Sequence, residues 1–138
     1  MDKVFTPREI DALLPKLENI FVHMDACQKR THELAATRPA PASTPTPNEI
    51  AESARIRSQM EFLLNAVQED IQLVTQMGGV VKDVTGGLVD FLGRVDGEDV
   101  WLCWKRGETK IHFWHPLYAG FSERQTLKRS DDRTTTTH

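Results

Sequence analysis

The stretch that decides the fold is Leu88-Val89-Asp90-Phe91-Leu92-Gly93-Arg94-Val95-Asp96-Gly97-Glu98-Asp99-Val100-Trp101-Leu102-Cys103-Trp104-Lys105. Leu88 to Val95 and Val100 to Lys105 are rich in valine and aromatic residues, and Asp96-Gly97 between them is a strong type I′ hairpin signal. A two-residue turn there sets the register: Val95 faces Glu98, Leu92 faces Trp101, Phe91 faces Leu102, and Asp90 faces Cys103. Downstream, Lys110 to His115 reads as a third strand, entered through Arg106-Gly107-Glu108-Thr109. A four-residue turn at that point sets Cys103 opposite His112, Leu102 opposite Phe113, and Trp101 opposite Trp114. One face of the sheet is then apolar: Val89, Phe91, Val100, Leu102, Trp104, Ile111 and Phe113. The other is mixed: Asp90, Leu92, Trp101, Cys103, His112 and Trp114. Val4-Phe5 is a candidate edge strand.

Upstream the period changes from two to between three and four. From Pro7 to about Ala36, apolar residues recur at Ile10, Leu13, Leu17, Ile20, Met24 and Cys27, widened by Leu14 and Phe21. That is one face of a long helix. Thr6 can cap it, Pro7 suits its first position, and Glu9 completes a capping box. Pro15 should kink the helix or set its true start. A second helix spans 48–77, with a stripe of Ile56, Met60, Leu63, Val67, Ile71, Val74 and Met77 supported by Leu64. It opens with the same device, Thr46-Pro47-Asn48-Glu49, and stops at Gly78-Gly79. Four of the seven prolines fall between Pro39 and Pro47, so 37–47 reads as an exposed linker. The expected fold is α+β. A long antiparallel helical hairpin leads into a three- to four-stranded antiparallel sheet over 80–115 and a segment over 116–129. The whole of 1–129 reads as one domain, and 130–138 as a disordered tail.

Composition bounds the partners. The chain has 138 residues, enough for one domain, and its 17 Lys+Arg against 20 Asp+Glu give a net charge of −3. That balance argues against a phosphate-backbone binder, even with three tryptophans near Lys105, Arg106 and Lys110. No apolar run is long enough for a membrane span. Met1-Asp2-Lys3-Val4-Phe5 lacks the basic and apolar regions of a secretory signal. Cys27 and Cys103 form no paired motif, which suits a reducing cytoplasm.

The residues also carry a likeness. Phe5-Thr6, Glu9 and Leu13-Leu14-Pro15 come first. Lys82-Asp83, Gly87-Leu88-Val89-Asp90-Phe91, Leu102-Cys103-Trp104, Gly107-Glu108, Trp114-His115 and Gly120-Phe121 with Arg124 follow in order. With this string the chain resembles DUF2203, a family of small bacterial domains of unknown function. The resemblance covers nearly everything except the linker and the tail. The chain departs from it at Ile10-Asp11, where the family often shows Ala-Asn, and at Leu92, where it often shows Pro. The resemblance supports the fold and implies no activity.

Ten residues are candidates for binding: Lys82, Asp83, Asp90, Trp101, Cys103, Glu108, His112, Trp114, His115 and Arg124. Asp90, Cys103 and His112 share a row across three strands in the register above. They have the chemistry of a Cys-His-Asp nucleophile set or of a three-ligand metal site. The plainer expectation is a half-buried structural thiol. His112 and His115 point to opposite faces and do not share a metal; His115 is the histidine that matches the family string. Lys82-Asp83 lies between glycine pairs that fit no Walker pattern and reads as a turn with an ion pair. Arg124 reaches Asp90 or Asp83 if the chain after Pro116 folds back. The preferred expectation is a cytoplasmic, non-enzymatic interaction or assembly module without cofactor. It would be homodimeric through the exposed Trp101 and Trp114 face, or bound to another protein. The alternative is a small-molecule- or metal-binding enzyme using Asp90, Cys103 and His112. Neither nucleic acid nor membrane is an expected partner.

Overall fold

Both helices begin on the same device. In the computed structural model of the chain, which describes residues 3–40 and 42–129, the Thr6 N–H donates to Glu9 Oε1 at 2.8 Å, and the Glu9 N–H donates to Thr6 Oγ1 at 3.3 Å. Thr46 and Glu49 repeat the exchange at 3.0 and 3.1 Å. Each box satisfies donors that a helix start otherwise leaves unpaired. Helix α1 is Pro7–Ala36 and α2 is Pro47–Gln76. Helix α1 runs through Pro15 without interruption. Among the described residues of the expected linker only Pro47, which opens α2, belongs to a regular element, and the expected tail at 130–138 lies outside the described residues. Among the described residues, no helix is long and apolar enough to cross a membrane.

The chain divides into two compact units, one comprising everything up to Phe21 and from Leu73 onward, the other Val22–Gln72. In the Val22–Gln72 unit the helices run antiparallel, with His23 ion-paired to Asp70 and Leu34 sharing a groove with Arg55 and Phe62. Met24, Cys27, Leu34, Ile56 and Val67 are buried between them. Leu64 does not join that stripe; it is exposed, as are Ile50 and Phe62.

In the other unit five strands form one antiparallel sheet in the order β1-β2-β3-β4-β5. They are β1 Gly79–Asp83, β2 Leu88–Val95, β3 Glu98–Lys105, β4 Phe113–Pro116 and β5 Gln125–Thr126. A short 3-10 helix, Phe121–Glu123, precedes β5. The α+β class with a helical hairpin is as read from the sequence, and the sheet gains short strands at both edges. Phe5 donates one backbone bond to Leu92 O at 2.7 Å but forms no strand. Asp96 and Gly97 have φ of 52° and 81°, the double positive φ of a type I′ turn. The β2–β3 register is the expected one, with Asp90 opposite Cys103 and Phe91 opposite Leu102.

The β3–β4 register is not. Cys103 pairs with Phe113, Leu102 with Trp114, and Trp101 with His115, one residue off the expected alignment. The cause is the connection. The Arg106 N–H donates to Gly87 O at 2.8 Å, and the Ile111 N–H donates to Asp11 Oδ1 at 2.9 Å. Arg106 is thus tied to Gly87, just before β2, and Ile111 to α1, instead of continuing the hairpin. An odd slip exchanges the two faces of β4. Phe113 and His115 therefore share a face with Asp90, Trp101 and Cys103, while Trp114 joins Leu102.

The apolar face is the core of this unit. Val89, Phe91, Val100, Leu102, Trp104 and Ile111 are all buried. Phe21 of α1 meets Trp104 with ring centroids 5.6 Å apart, and Phe5 meets Phe91 edge-on at 5.1 Å. Trp104 is fully enclosed, and its Nε1–H donates to Glu108 O at 2.8 Å. Burying it contributes about 4–6 kcal/mol of transfer free energy.

Candidate functional site

Three central strands deliver one polar side chain each to the opposite face of the sheet: Asp90 from β2, Cys103 from β3 and His115 from β4. Their exposures are 2%, 1% and 2%. One donor atom from each lies within 4.8 Å of the others. The pairing explains the convergence. Asp90 is directly opposite Cys103, and His115 is opposite Trp101, one diagonal step from Cys103 on the same face.

His115 fixes the chemistry. Its Nδ1 is 3.0 Å from Pro116 O, and its Nε2 is 2.9 Å from Asp90 Oδ2. A carbonyl oxygen only accepts, so Nδ1 carries a proton and donates it. Nε2 therefore faces the carboxylate with a lone pair unless a second proton, or a cation, sits between them. The other carboxylate oxygen, Asp90 Oδ1, is buried and accepts no hydrogen bond. Such an orphaned acceptor costs about 1–3 kcal/mol, more when charged.

Burial pushes the Cys103 thiol up to about 12; the Asp90 carboxylate pushes it the same way, and Arg124 opposes them. A thiol held in that state is no nucleophile. Both His115 nitrogens are also engaged away from sulfur, so the histidine is not its base. The cluster fits ligation better than nucleophilic catalysis.

A cavity of about 150 Å³ opens onto these groups, lined by Lys82, Leu88, Asp90, Cys103, His115, Ala119, Gly120 and Phe121. Its cover is the turn before β5. The Gly120 N–H donates to Glu123 Oε2 at 3.0 Å. Arg124 pairs with Glu108, and its guanidinium lies 3.7 Å over the Phe113 ring and 4.7 Å over the Phe121 ring. The chain after Pro116 does fold back over the sheet, but Arg124 reaches Glu108 instead of Asp90 or Asp83.

A family model described as an uncharacterized conserved protein matches residues 3–127. The chain belongs to the DUF2203 family. No match is found among curated proteins or solved structures.

Six of the polar residues that carry the DUF2203 resemblance gather around this cavity. Lys82, Asp90, Cys103 and His115 line it, and Glu108 and Arg124 hold its cover. The other candidates do not join it. Asp83 turns its carboxylate toward Gly86 at the β1–β2 turn. Trp101 is on the same face but lines a neighbouring hollow with Leu92 and Leu117. Trp114 is on the opposite face, so the anticipated Trp101 and Trp114 patch does not exist. His112 precedes β4 and is absent from the cluster; its carbonyl accepts from the Leu127 N–H at 2.7 Å. The three-residue set is thus Asp90, Cys103 and His115, where the sequence register pointed to His112.

A second Cys-His-Asp arrangement lies outside these motifs and was not apparent from the sequence. His23 Nδ1 bonds Asp70, and His23 Nε2 is 3.8 Å from Cys27 Sγ. The signal was there in part, since His23 and Cys27 are four apart on α1 and share one side of the helix. Burial raises the Cys27 thiol, with Asp70 adding to it.

Proposed function

We propose that this DUF2203 protein binds a divalent transition-metal ion, zinc foremost, through Asp90, Cys103 and His115, and offers the ion's fourth position to a small molecule in the cavity. The observation that carries this is the orphaned Asp90 Oδ1 beside a histidine whose Nδ1–H is already committed to Pro116 O. A backbone carbonyl on one nitrogen is the usual way a ligating histidine is oriented and its tautomer fixed. An oxygen, a sulfur and a nitrogen ligand with one place open match catalytic zinc sites. Zinc bond lengths place such donors about 3.3–3.7 Å apart, so the present spacing needs only small side-chain shifts. The ion replaces the proton between Asp90 and His115 and the proton on Cys103. The test is metal analysis of tag-free protein purified without chelators, followed by zinc titration. One zinc per chain is expected, lost in His115→Ala and Cys103→Ser and retained in His112→Ala. Wild type that takes up no more zinc than His115→Ala overturns the proposal.

The assembly alternative keeps one observation in its favour. Phe62 is 72% exposed and Leu64 58%, on α2 of the helical unit. Phe62, in the groove it shares with Leu34 and Leu63, offers an aromatic side chain to a protein contact, and a second copy of the chain is the simplest partner. Sedimentation of wild type and Phe62→Glu tests it: a dimer that the variant abolishes supports the contact, and a wild-type monomer at tens of micromolar removes it.

A further inference from the structure

The metal cavity has an electrostatic remainder that points to its ligand. A dication bound by the Asp90 carboxylate, the Cys103 thiolate and a neutral His115 forms a centre of zero net charge. Lys82 lines the same cavity, with its ammonium 5.4 Å from the Trp101 ring centroid. Among the described residues it has no carboxylate partner. Asp83, its neighbour in sequence, turns its carboxylate toward Gly86, Glu108 is paired with Arg124, and Asp90 is taken up by the ion in the metal reading. An exposed lysine without a carboxylate partner among the described residues therefore stands in the wall of the cavity onto which the three groups open.

Resting on the metal reading above, we infer that the cavity takes a small monoanionic carboxylate, shared between the bound ion and the Lys82 ammonium. Size and lining narrow the class. About 150 Å³ is well below the roughly 300–1,000 Å³ of drug-sized pockets. Only a ligand of a few heavy atoms fits. Leu88, Ala119 and Phe121 make the remaining wall apolar, which suits a short aliphatic stub behind the carboxylate. A phosphate has polar oxygens on every side and would leave some unpaired against that wall.

The experiment uses the full-length chain loaded with cobalt(II), whose visible bands report coordination. Sodium acetate is titrated in, then inorganic phosphate in a parallel sample. Acetate is expected to shift the bands saturably, and phosphate to leave them in place. Lys82→Met is expected to take up cobalt to the wild-type level and to bind acetate about ten- to a hundredfold more weakly, the worth of one charge-assisted hydrogen bond. Lys82 is on the exposed side of β1, so the substitution spares the core. Cobalt bands that acetate does not move, or moves equally in Lys82→Met, overturn the inference and leave the metal site standing. Phosphate acting in place of acetate overturns the carboxylate assignment. Failure to take up cobalt at all overturns the metal site and this inference together.

Discussion

His115 Nε2 stands 2.9 Å from Asp90 Oδ2, and both side chains are 2% exposed. Two groups removed from water this fully have given up strong hydration, and each depends on the other for its compensation. Removing one partner leaves the other stranded. His115→Ala is expected to lose about 3–5 kcal/mol in urea denaturation of metal-free protein. Replacing both residues together by leucine is expected to recover most of that loss, since an apolar pair has nothing to strand. Equal losses in the single and double variants would mean that packing, and not the polar pair, sets the cost.

Metal binding to the folded chain alone must show as stability. With free zinc at a hundred times its dissociation constant, wild type is expected to gain about 2.7 kcal/mol. A chelator is expected to reverse the gain, and Cys103→Ser to show little of it. The measurement is a denaturation midpoint with and without zinc at fixed pH. Equal gains in wild type and Cys103→Ser would place the ion somewhere else.

The β2–β3 hairpin could be read from the sequence because its register is local. Asp96-Gly97 can adopt the turn that the strands need, and every pair follows from it. The β3–β4 register could not, because it is set from a distance. Asp11, on α1, takes the Ile111 N–H, and Gly87 O takes the Arg106 N–H. No short-range pattern announces either bond. The error was one residue, yet alternation made it decisive: it put His112 where His115 belongs and joined two tryptophans that face opposite ways. Asp90 and Cys103 were correctly paired, so two of the three cluster members were legible. Strand β5 is too short to have a periodicity and exists only because β4 offers it an edge. The α1 stripe was legible because caps and heptad-like spacing are local too.

The two capping boxes predict a sensitivity to acid. Backbone hydrogen bonding to Thr6 holds the Glu9 carboxyl below its usual range, with Lys3 helping, and Thr46 does the same for Glu49. A carboxyl lowered in the folded state stabilises the fold above its unfolded value. That stability is lost as pH falls through the folded value. The expected outcome is a melting temperature that declines between about pH 5 and pH 3. Glu9→Gln and Glu49→Gln together should start lower and decline less. Melting followed by circular dichroism across that range checks it, and identical pH slopes would refute the assignment.

Two tryptophans of similar size should differ sharply when truncated. Trp104 is fully buried against Phe21, whereas Trp114 is only half-buried. Trp104→Ala is expected to cost about 3–5 kcal/mol through lost burial and an unfilled cavity. Trp114→Ala is expected to cost clearly less. Urea midpoints of the two variants decide the ranking, and a costlier Trp114→Ala would contradict the register of β4.

Arg124 fastens the cover of the cavity. It pairs with Glu108, and its side chain is 12% exposed against 23% for the glutamate. Its guanidinium also lies over Phe113 and Phe121, joining the turn before β5 to the sheet beneath. Arg124→Ala removes both ties and leaves Glu108 without its charge partner, a loss of about 1.5–3 kcal/mol. The local consequence is more telling than the global one. With the cover loosened, alkylation of Cys103 in chelator-treated native protein is expected to accelerate severalfold, while Cys27, in the other unit, labels at the wild-type rate. The sign makes the experiment discriminating. Arg124 pulls the Cys103 thiol downward, so deleting its charge alone raises the thiol further and slows the reaction. Faster labelling can then come only from access. Arg124→Lys keeps the charge but gives up the planar stack, and should fall between wild type and alanine. Labelling of Cys103 that slows in Arg124→Ala would show that the arginine acts on the thiol through its field and that something else holds the cover.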